Sequence, residues 1–253
     1  MAKASLRGRA NVDATARVGP GKKEGGRSAS KSYARSSGKT GSKGGGARAG
    51  SRGQLRIIGG QFRGRRLPVP SQPGLRPTSD RTRETLFNWL APVIEGSRCL
   101  DCFAGAGALG FEAASRGAAW VSMIERANAV ARQLDASAAL LRADAVEVIT
   151  ADAERWLSEQ PVQPYDIVFL DPPFALDVLA STCETLQRRG WVTAGSLIYL
   201  ENDAGVGFPS LPAGWTLTRD KRAGQVRYGL AKVGRDGQED DQGDDPTEPP
   251  LGR

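Results

Sequence analysis

The sequence Asp101-Cys-Phe-Ala-Gly105-Ala-Gly107-Ala-Leu-Gly110 leaves a chain few ways to fold. An apolar strand, expected over 98–103, runs into three glycines spaced GxGxxG and out into a helix expected over 108–116. Glycine at these points lets the backbone turn tightly and approach a ligand, and the helix that starts there aims N–H groups at it. Glu125 follows 20 residues after Gly105, closing the next expected strand, 119–125, where a carboxylate can take ribose hydroxyls. Alone, the loop suits a nicotinamide dinucleotide as well as S-adenosylmethionine, and a bare strand–helix turn would need glycine too.

The same alternation continues downstream. A helix carries Val130, Leu134, Ala138 and Leu141 on one face; strand 147–151, a short helix near Trp156 and strand 166–170 follow. Leu176, Leu179, Cys183 and Leu186 mark another helix, stopped by Gly190, and strands near 196–201, 215–220 and 226–232 close the chain, the last two as a hairpin. Repeated β-α-β units predict an α/β fold, a Rossmann-like doubly wound parallel sheet with helices on both faces and ligands at the carboxyl ends of its strands. Upstream, Leu55-Arg-Ile-Ile58 and Arg66-Leu-Pro-Val69 flank a glycine-rich turn at 59–64, which predicts a β-hairpin. Thr78, Ser79 and Asp80 then offer caps for a helix that buries Leu86, Phe87 and Leu90.

Charge divides the chain further. Residues 1–54 hold 13 Lys/Arg, 2 Asp/Glu and 12 Gly, with hardly any large apolar side chain, so a disordered basic arm is expected there. An Arg- and Ser-rich, acid-poor transit peptide is the competing reading, but no apolar face recurs at helical spacing. Residues 234–253, with 2 basic and 7 acidic side chains, read as a disordered acidic tail. The 179 residues between them are nearly balanced, and their one basic patch falls in 55–97, ahead of a Rossmann-like domain over 98–233. Arg56, Arg63, Arg65 and Arg66 on the hairpin suit a phosphate-contacting surface, although charged edge strands also serve simply to prevent aggregation.

Composition removes several chemistries. Without a single histidine, the chain has no His-based triad, His metal site or imidazole acid–base pair. Cys99-Leu-Asp-Cys102 spells CxxC, but no second pair completes a zinc site, so these two and Cys183 read as core cysteines in a reducing compartment. No apolar run approaches the ~18 residues of a membrane helix. A soluble cytoplasmic protein without a metal is expected, and a monomer, because no long apolar stripe is left over.

The strand Tyr165-Asp-Ile-Val-Phe-Leu170 ends in Asp171-Pro172-Pro173-Phe174, at a tip that a doubly wound sheet sets beside the glycine loop. Such a tetrapeptide suits methylation of a planar exocyclic amine, whose lone pair is delocalised into a ring. The Asp171 carboxylate and the Pro172 carbonyl can each accept one N–H, which favours a pyramidal nitrogen. Proline stiffens that carbonyl, and Phe174 can stack on the base. Positioning then supplies much of the rate, and no histidine is needed. The plain alternative is a strand ending in a Pro-Pro turn.

Asp101 to Gly110 together with Asp171 to Phe174 resembles a class I S-adenosylmethionine-dependent amino-methyltransferase. Leu55-Arg-Ile-Ile-Gly-Gly-Gln-Phe-Arg-Gly-Arg-Arg-Leu-Pro-Val-Pro70, Gly74-Leu-Arg-Pro-Thr-Ser-Asp-Arg-Thr-Arg-Glu-Thr-Leu-Phe-Asn88 and Ala223-Gly-Gln-Val226 narrow the resemblance to the bacterial 16S ribosomal RNA guanine 2-amino methyltransferases, the RsmD family, over about 55–233. The resemblance implies that Asp101, Gly105 and Gly107 line the methionine part of S-adenosylmethionine, with Phe103 and Gly110 in the same loop, that Glu125 holds its ribose, and that Asp152 faces its adenine. It implies that Asp171, Pro172, Pro173 and Phe174 hold guanine, and that Arg76, Thr78 and Arg83 lie near the cofactor or the RNA. Asp152 serves equally as a helix N-cap, Arg76 as a sheet-edge contact, and Arg83 as the partner of a helix carboxylate. The implied partners are 16S ribosomal RNA and the assembling small subunit.

Three rivals stand beside this reading. A DNA-adenine or protein-glutamine amino-methyltransferase uses related tetrapeptides, but the basic hairpin and the 74–88 block favour ribosomal RNA. A non-catalytic RNA-binding assembly factor would not need both motifs intact. A nicotinamide oxidoreductase explains Gly105 to Gly110 and leaves Asp171 to Phe174 unexplained.

Overall fold

The computed structural model of the chain describes residues 53–69, 79–173 and 178–235. The expected basic arm, acidic tail, Arg76, Thr78, Phe174 and Leu176 lie outside these residues or largely so. The chain opens with β1 (Gln54–Arg56), β2 (Arg66–Pro68) and α1 (Asp80–Leu90). It then alternates through β3 (Arg98–Asp101), α2 (Ala108–Ser115), β4 (Trp120–Glu125), α3 (Asn128–Leu141), β5 (Val146–Thr150), α4 (Ala153–Glu159), β6 (Ile167–Leu170) and α5 (Leu179–Arg189). β7 (Leu197–Asp203), β8 (Trp215–Ala223) and β9 (Val226–Val233) finish it.

Seven strands form one sheet in the order β5-β4-β3-β6-β7-β9-β8, and β1 and β2 pair apart from it. β5, β4, β3, β6 and β7 are parallel, while β9 runs antiparallel to both β7 and β8. The antiparallel end follows from the turn at Gly224 (φ 63°), too short for anything but a reversal. From β3 the chain winds outward to β4 and β5, then crosses back to β6 on β3's other side. That reversal opens a crevice at the carboxyl ends of β3 and β6.

Successive residues of each strand face opposite layers. Cys99, Met123, Ile167, Phe169 and Tyr199 pack toward Leu86, Phe87, Phe111 and Leu134 of α1, α2 and α3. Leu100, Ile124, Val168, Leu170 and Ile198 pack toward Leu157, Cys183 and Leu186 of α4 and α5. All three cysteines are buried free thiols, and burial pushes Cys99 and Cys183 up to about 12, so they fill space rather than react.

The β1–β2 hairpin is bolted to α2 by polar groups. Glu112, fully buried on α2, accepts the Ile58 N–H (2.8 Å) and the Gly59 N–H (2.8 Å). Ser115 accepts the Phe62 N–H at its Oγ (2.9 Å) and the Gln61 N–H at its carbonyl (2.7 Å). A Cβ at Gly60 (φ 73°) would fall 1.8 Å from the Ser115 carbonyl oxygen, so only glycine allows this docking. Ser79 caps α1 by accepting the Thr82 N–H, as the sequence predicts among its three choices.

Candidate active site

The glycine loop uses its three glycines for three purposes. Gly105 (φ 50°) donates its N–H to Glu125 Oε2 at 3.1 Å. At Gly107 (φ 80°) a Cβ would lie 2.5 Å from the Phe111 ring, and at Gly110 one would lie 2.7 Å from Met123 Sδ on β4. The last of these is the close helix–strand contact that the third glycine of such a loop provides. Glu125 also accepts the Ala127 N–H at 2.7 Å, so one carboxylate ties the loop to the end of β4. Asp101, buried at the end of β3, accepts the Gly110 N–H at 3.1 Å. Its other oxygen, Oδ1, is buried with no hydrogen-bond partner among the described residues.

Strand register adds groups that no local motif reveals. Asp101 lies level with Phe169, and Leu170 with Leu200, so Asp171 follows β6 beside Glu201 of β7. Glu201 in turn pairs with Tyr228 of β9. Asp171, Glu201 and Tyr228 thus stand level on three neighbouring strands, with Asp101 two residues back on a fourth, on the face that α1 covers. Glu201 is 5% exposed and accepts the Tyr199 hydroxyl at 2.6 Å.

Burial, reinforced by the Asp171 charge, pushes the Asp101 carboxyl up to about 7 and the Glu201 carboxyl up to about 8. Their ordinary values are 3.8 and 4.5, so the folded protein without ligand holds protons there that the unfolded chain has released. Both groups therefore stabilise the fold fully below about pH 4, and that contribution is lost as pH rises through 7 to 8. Melting temperature is expected to fall between pH 5 and 8, and Asp101→Asn with Glu201→Gln to flatten that fall. An equally steep fall in the double variant would mean other groups cause it.

The other residues singled out in the sequence fall in varied surroundings. Pro172 is buried and Pro173 exposed beside Asp171; Phe103 is half-buried and packs on the α4–α5 layer. Asp152 is the N-cap of α4, accepting the Arg155 N–H at 3.1 Å. Arg56, Arg63, Arg65 and Arg66 are all exposed. Arg65 donates to the Leu140 carbonyl at 3.1 Å and Arg66 to Gln54 at 3.3 Å. Because α2 and α3 run from the glycine loop's edge to the opposite one, Ser115 and Leu140 hold Arg63 and Arg65 at the edge away from Asp171. Arg83 requires a correction: it is 1% exposed, donates to Asp80 (2.6 Å) and the Arg56 carbonyl (2.9 Å), and lies 3.6 Å from Glu112. It joins α1, β1 and α2, and presents nothing to RNA. Sequence reading also missed Glu112, although a lone carboxylate in Ala-Leu-Gly-Phe-Glu-Ala-Ala-Ser was a signal of buried polar work.

Sheet order, switch-point crevice, glycine loop and terminal carboxylates define a class I methyltransferase fold. Residues 55–232 match the family model described as conserved hypothetical protein 95. Ribosomal RNA small subunit methyltransferase D of Escherichia coli K12 is 52% identical over 188 residues, covering 74% of this chain and 94% of that protein. The solved structure of yhhF from Escherichia coli is 50% identical with a TM-score of 0.68, covering 72% of this chain and 99% of that one. An RNA methyltransferase from Salinibacter ruber, solved with S-adenosyl-L-homocysteine, shares the fold at 20% identity and a TM-score of 0.50, covering 65% of this chain and 98% of that one. The chain belongs to the ribosomal RNA small subunit methyltransferase D family, RsmD. Among the described residues, no helix is long and apolar enough to cross a membrane.

Proposed function

We propose that this chain transfers a methyl group from S-adenosylmethionine to the exocyclic 2-amino group of a guanine in 16S ribosomal RNA, on the assembling small subunit. The observation that carries the proposal is the juxtaposition of Asp171-Pro172 with Asp101 at the switch point of the sheet. Family membership supplies the reaction class and the RNA.

The residues present fit the cofactor. Asp101 Oδ1 is a buried acceptor without a donor, and an ammonium group on an amino-acid moiety would supply one while favouring the ionised carboxylate. Glu125 spends one lone pair per oxygen on Gly105 and Ala127, which leaves acceptor capacity for ribose hydroxyls. Asp152 is exposed and near the end of β5, and takes the adenine edge in this reading. When bound, the cofactor supplies a methyl group activated on a sulfonium.

The chain's own groups do the rest. Asp171 and the Pro172 carbonyl each accept one N–H of the target amine, turning its lone pair out of conjugation. Phe174 stacks on the base. As the new C–N bond forms and the S–C bond breaks, the nitrogen sheds one proton, and Asp171 accepts it. Arg56, Arg63, Arg65 and Arg66 contact phosphates from the hairpin.

Labelled S-adenosylmethionine, offered with unmethylated small subunits, free 16S ribosomal RNA and duplex DNA, tests this directly. N2-methylguanosine on the subunits is the expected product. Label on adenine or on DNA, or no transfer despite cofactor binding, would overturn the proposal.

A further inference from the structure

The β8–β9 ribbon carries an irregularity that changes which charges face the active site. From Trp215 to Leu217 the two strands pair residue for residue, but Leu217 pairs with Ala231 while Arg219 pairs with Leu230. Thr218 is therefore an extra residue, a β-bulge, and its hydroxyl donates to the Leu230 carbonyl at 2.9 Å. Side chains alternate along a strand, so one inserted residue moves every later side chain to the other face. Beyond the bulge, Arg219 and Lys221 pair with Leu230 and Tyr228 and share their face. Without it, Asp220 would stand opposite Tyr228.

That face is the one carrying Asp101, Asp171 and Glu201. Through Tyr228 the row of acidic groups ends in a cation on a fifth strand, because Tyr228 pairs with Glu201 on one side and with Lys221 on the other. α1 seals the join: Trp89 stacks on Tyr228 with centroids 5.8 Å apart, and Lys221 Nζ sits 5.7 Å from the Trp89 ring centroid. Arg219 and Lys221 are both exposed. Three strand spacings separate β8 from the end of β6, so Lys221 stands about 14 Å along the sheet from Asp171. Arg63 and Arg65, by contrast, lie at the sheet's far edge.

We infer that the bulged strand β8 is an RNA-docking surface, on which Arg219 and Lys221 grip phosphates that flank the target nucleotide. The inference rests on the proposed RNA methylation and deepens it by naming where the strand enters. Bulges recur beside active sites because they re-aim side chains, and here the re-aiming exchanges a carboxylate for an ammonium at the rim. Sugar-phosphate contacts of this kind fix register without reading sequence. β8 is also the sheet's edge strand, where charge alone would discourage edge-to-edge pairing. The two roles make different demands on the faces of the strand.

The test uses the full chain and unmethylated 16S ribosomal RNA, with affinity measured across a salt series. Arg219→Gln with Lys221→Gln is expected to weaken binding about tenfold and to reduce the slope of log affinity against log salt by about 1.4 to 1.8, for two lost phosphate contacts. Cofactor affinity is expected to stay unchanged. Arg222→Gln on the opposite face is expected to leave affinity within about twofold. Unchanged affinity and slope in the double variant, or an equal loss per charge in Arg222→Gln, would overturn the inference. Because the readout is binding, it stands apart from turnover: a wild-type chain that binds RNA but methylates nothing would refute the proposed function instead.

Discussion

Asp171→Ala is expected to lower methyl transfer by about 1,000-fold, on the scale produced by removing one preorganised hydrogen-bonding group from a transition state, while cofactor binding persists. The target nitrogen would keep the Pro172 carbonyl but lose the acceptor that holds its second N–H and receives its proton. Retained cofactor affinity and a native far-UV circular dichroism spectrum separate this loss from a loss of folding. Asp171 raises the proton affinity of both Asp101 and Glu201, so deleting its charge relaxes two buried carboxyls. The fall of melting temperature with rising pH is therefore expected to be shallower in the variant than in the wild type. Asp171→Asn retains an acceptor oxygen and is expected to keep more turnover than alanine. Turnover in Asp171→Ala within tenfold of wild type would remove Asp171 from the reaction and leave it as a strand terminus.

Placements that depend on neighbours in sequence were legible without coordinates. Asp101, the three glycines and Glu125 sit in one strand–loop–helix–strand unit, whose spacing fixes their geometry. The β8–β9 hairpin was legible for the same reason. What escaped was set by pairing between distant strands. Glu201 ends a run, Leu-Ile-Tyr-Leu-Glu, that reads as an ordinary buried strand, and only the register of β6 against β7 brings it to Asp171. Thr218 is unremarkable as a residue; its effect on Lys221 exists only against β9. Arg83 kept two readings, because an arginine in a basic block looks like a nucleic-acid contact as readily as a helix carboxylate's partner. Its true partners, Asp80 and Glu112, stand on two helices, and Glu112 is 29 residues away.

Glu112→Ala is expected to cost about 3–5 kcal/mol in stability, the range for removing one member of a buried, hydrogen-bonded charge group. Three donors converge on this carboxylate, the Ile58 and Gly59 N–H groups and Arg116 Nε at 2.8 Å, and the Arg83 charge stands 3.6 Å away. Without it, two half-buried backbone amides would lose their acceptor and a 1%-exposed guanidinium would keep only the exposed Asp80 carboxylate as a charged partner. Arg83→Met is expected to cost less. Arg83 Nε and Nη1 already lack hydrogen-bond partners among the described residues, so its removal forfeits fewer bonds and leaves Glu112 paired with Arg116. Converting both Glu112 and Arg83 to leucine is expected to be milder than the sum of the singles, because the fully buried guanidinium is then not stranded. Urea unfolding gives the energies, and amide exchange at Ile58 and Gly59 shows whether the hairpin lifts before the sheet opens. The hairpin's arginines would then lose their fixed position relative to the catalytic edge, and RNA affinity would fall with it. A cost below about 1 kcal/mol, the scale of an ordinary net hydrogen bond, with both amides still protected, would mean that Ile57 and Phe62 hold the hairpin by apolar packing and Glu112 is dispensable.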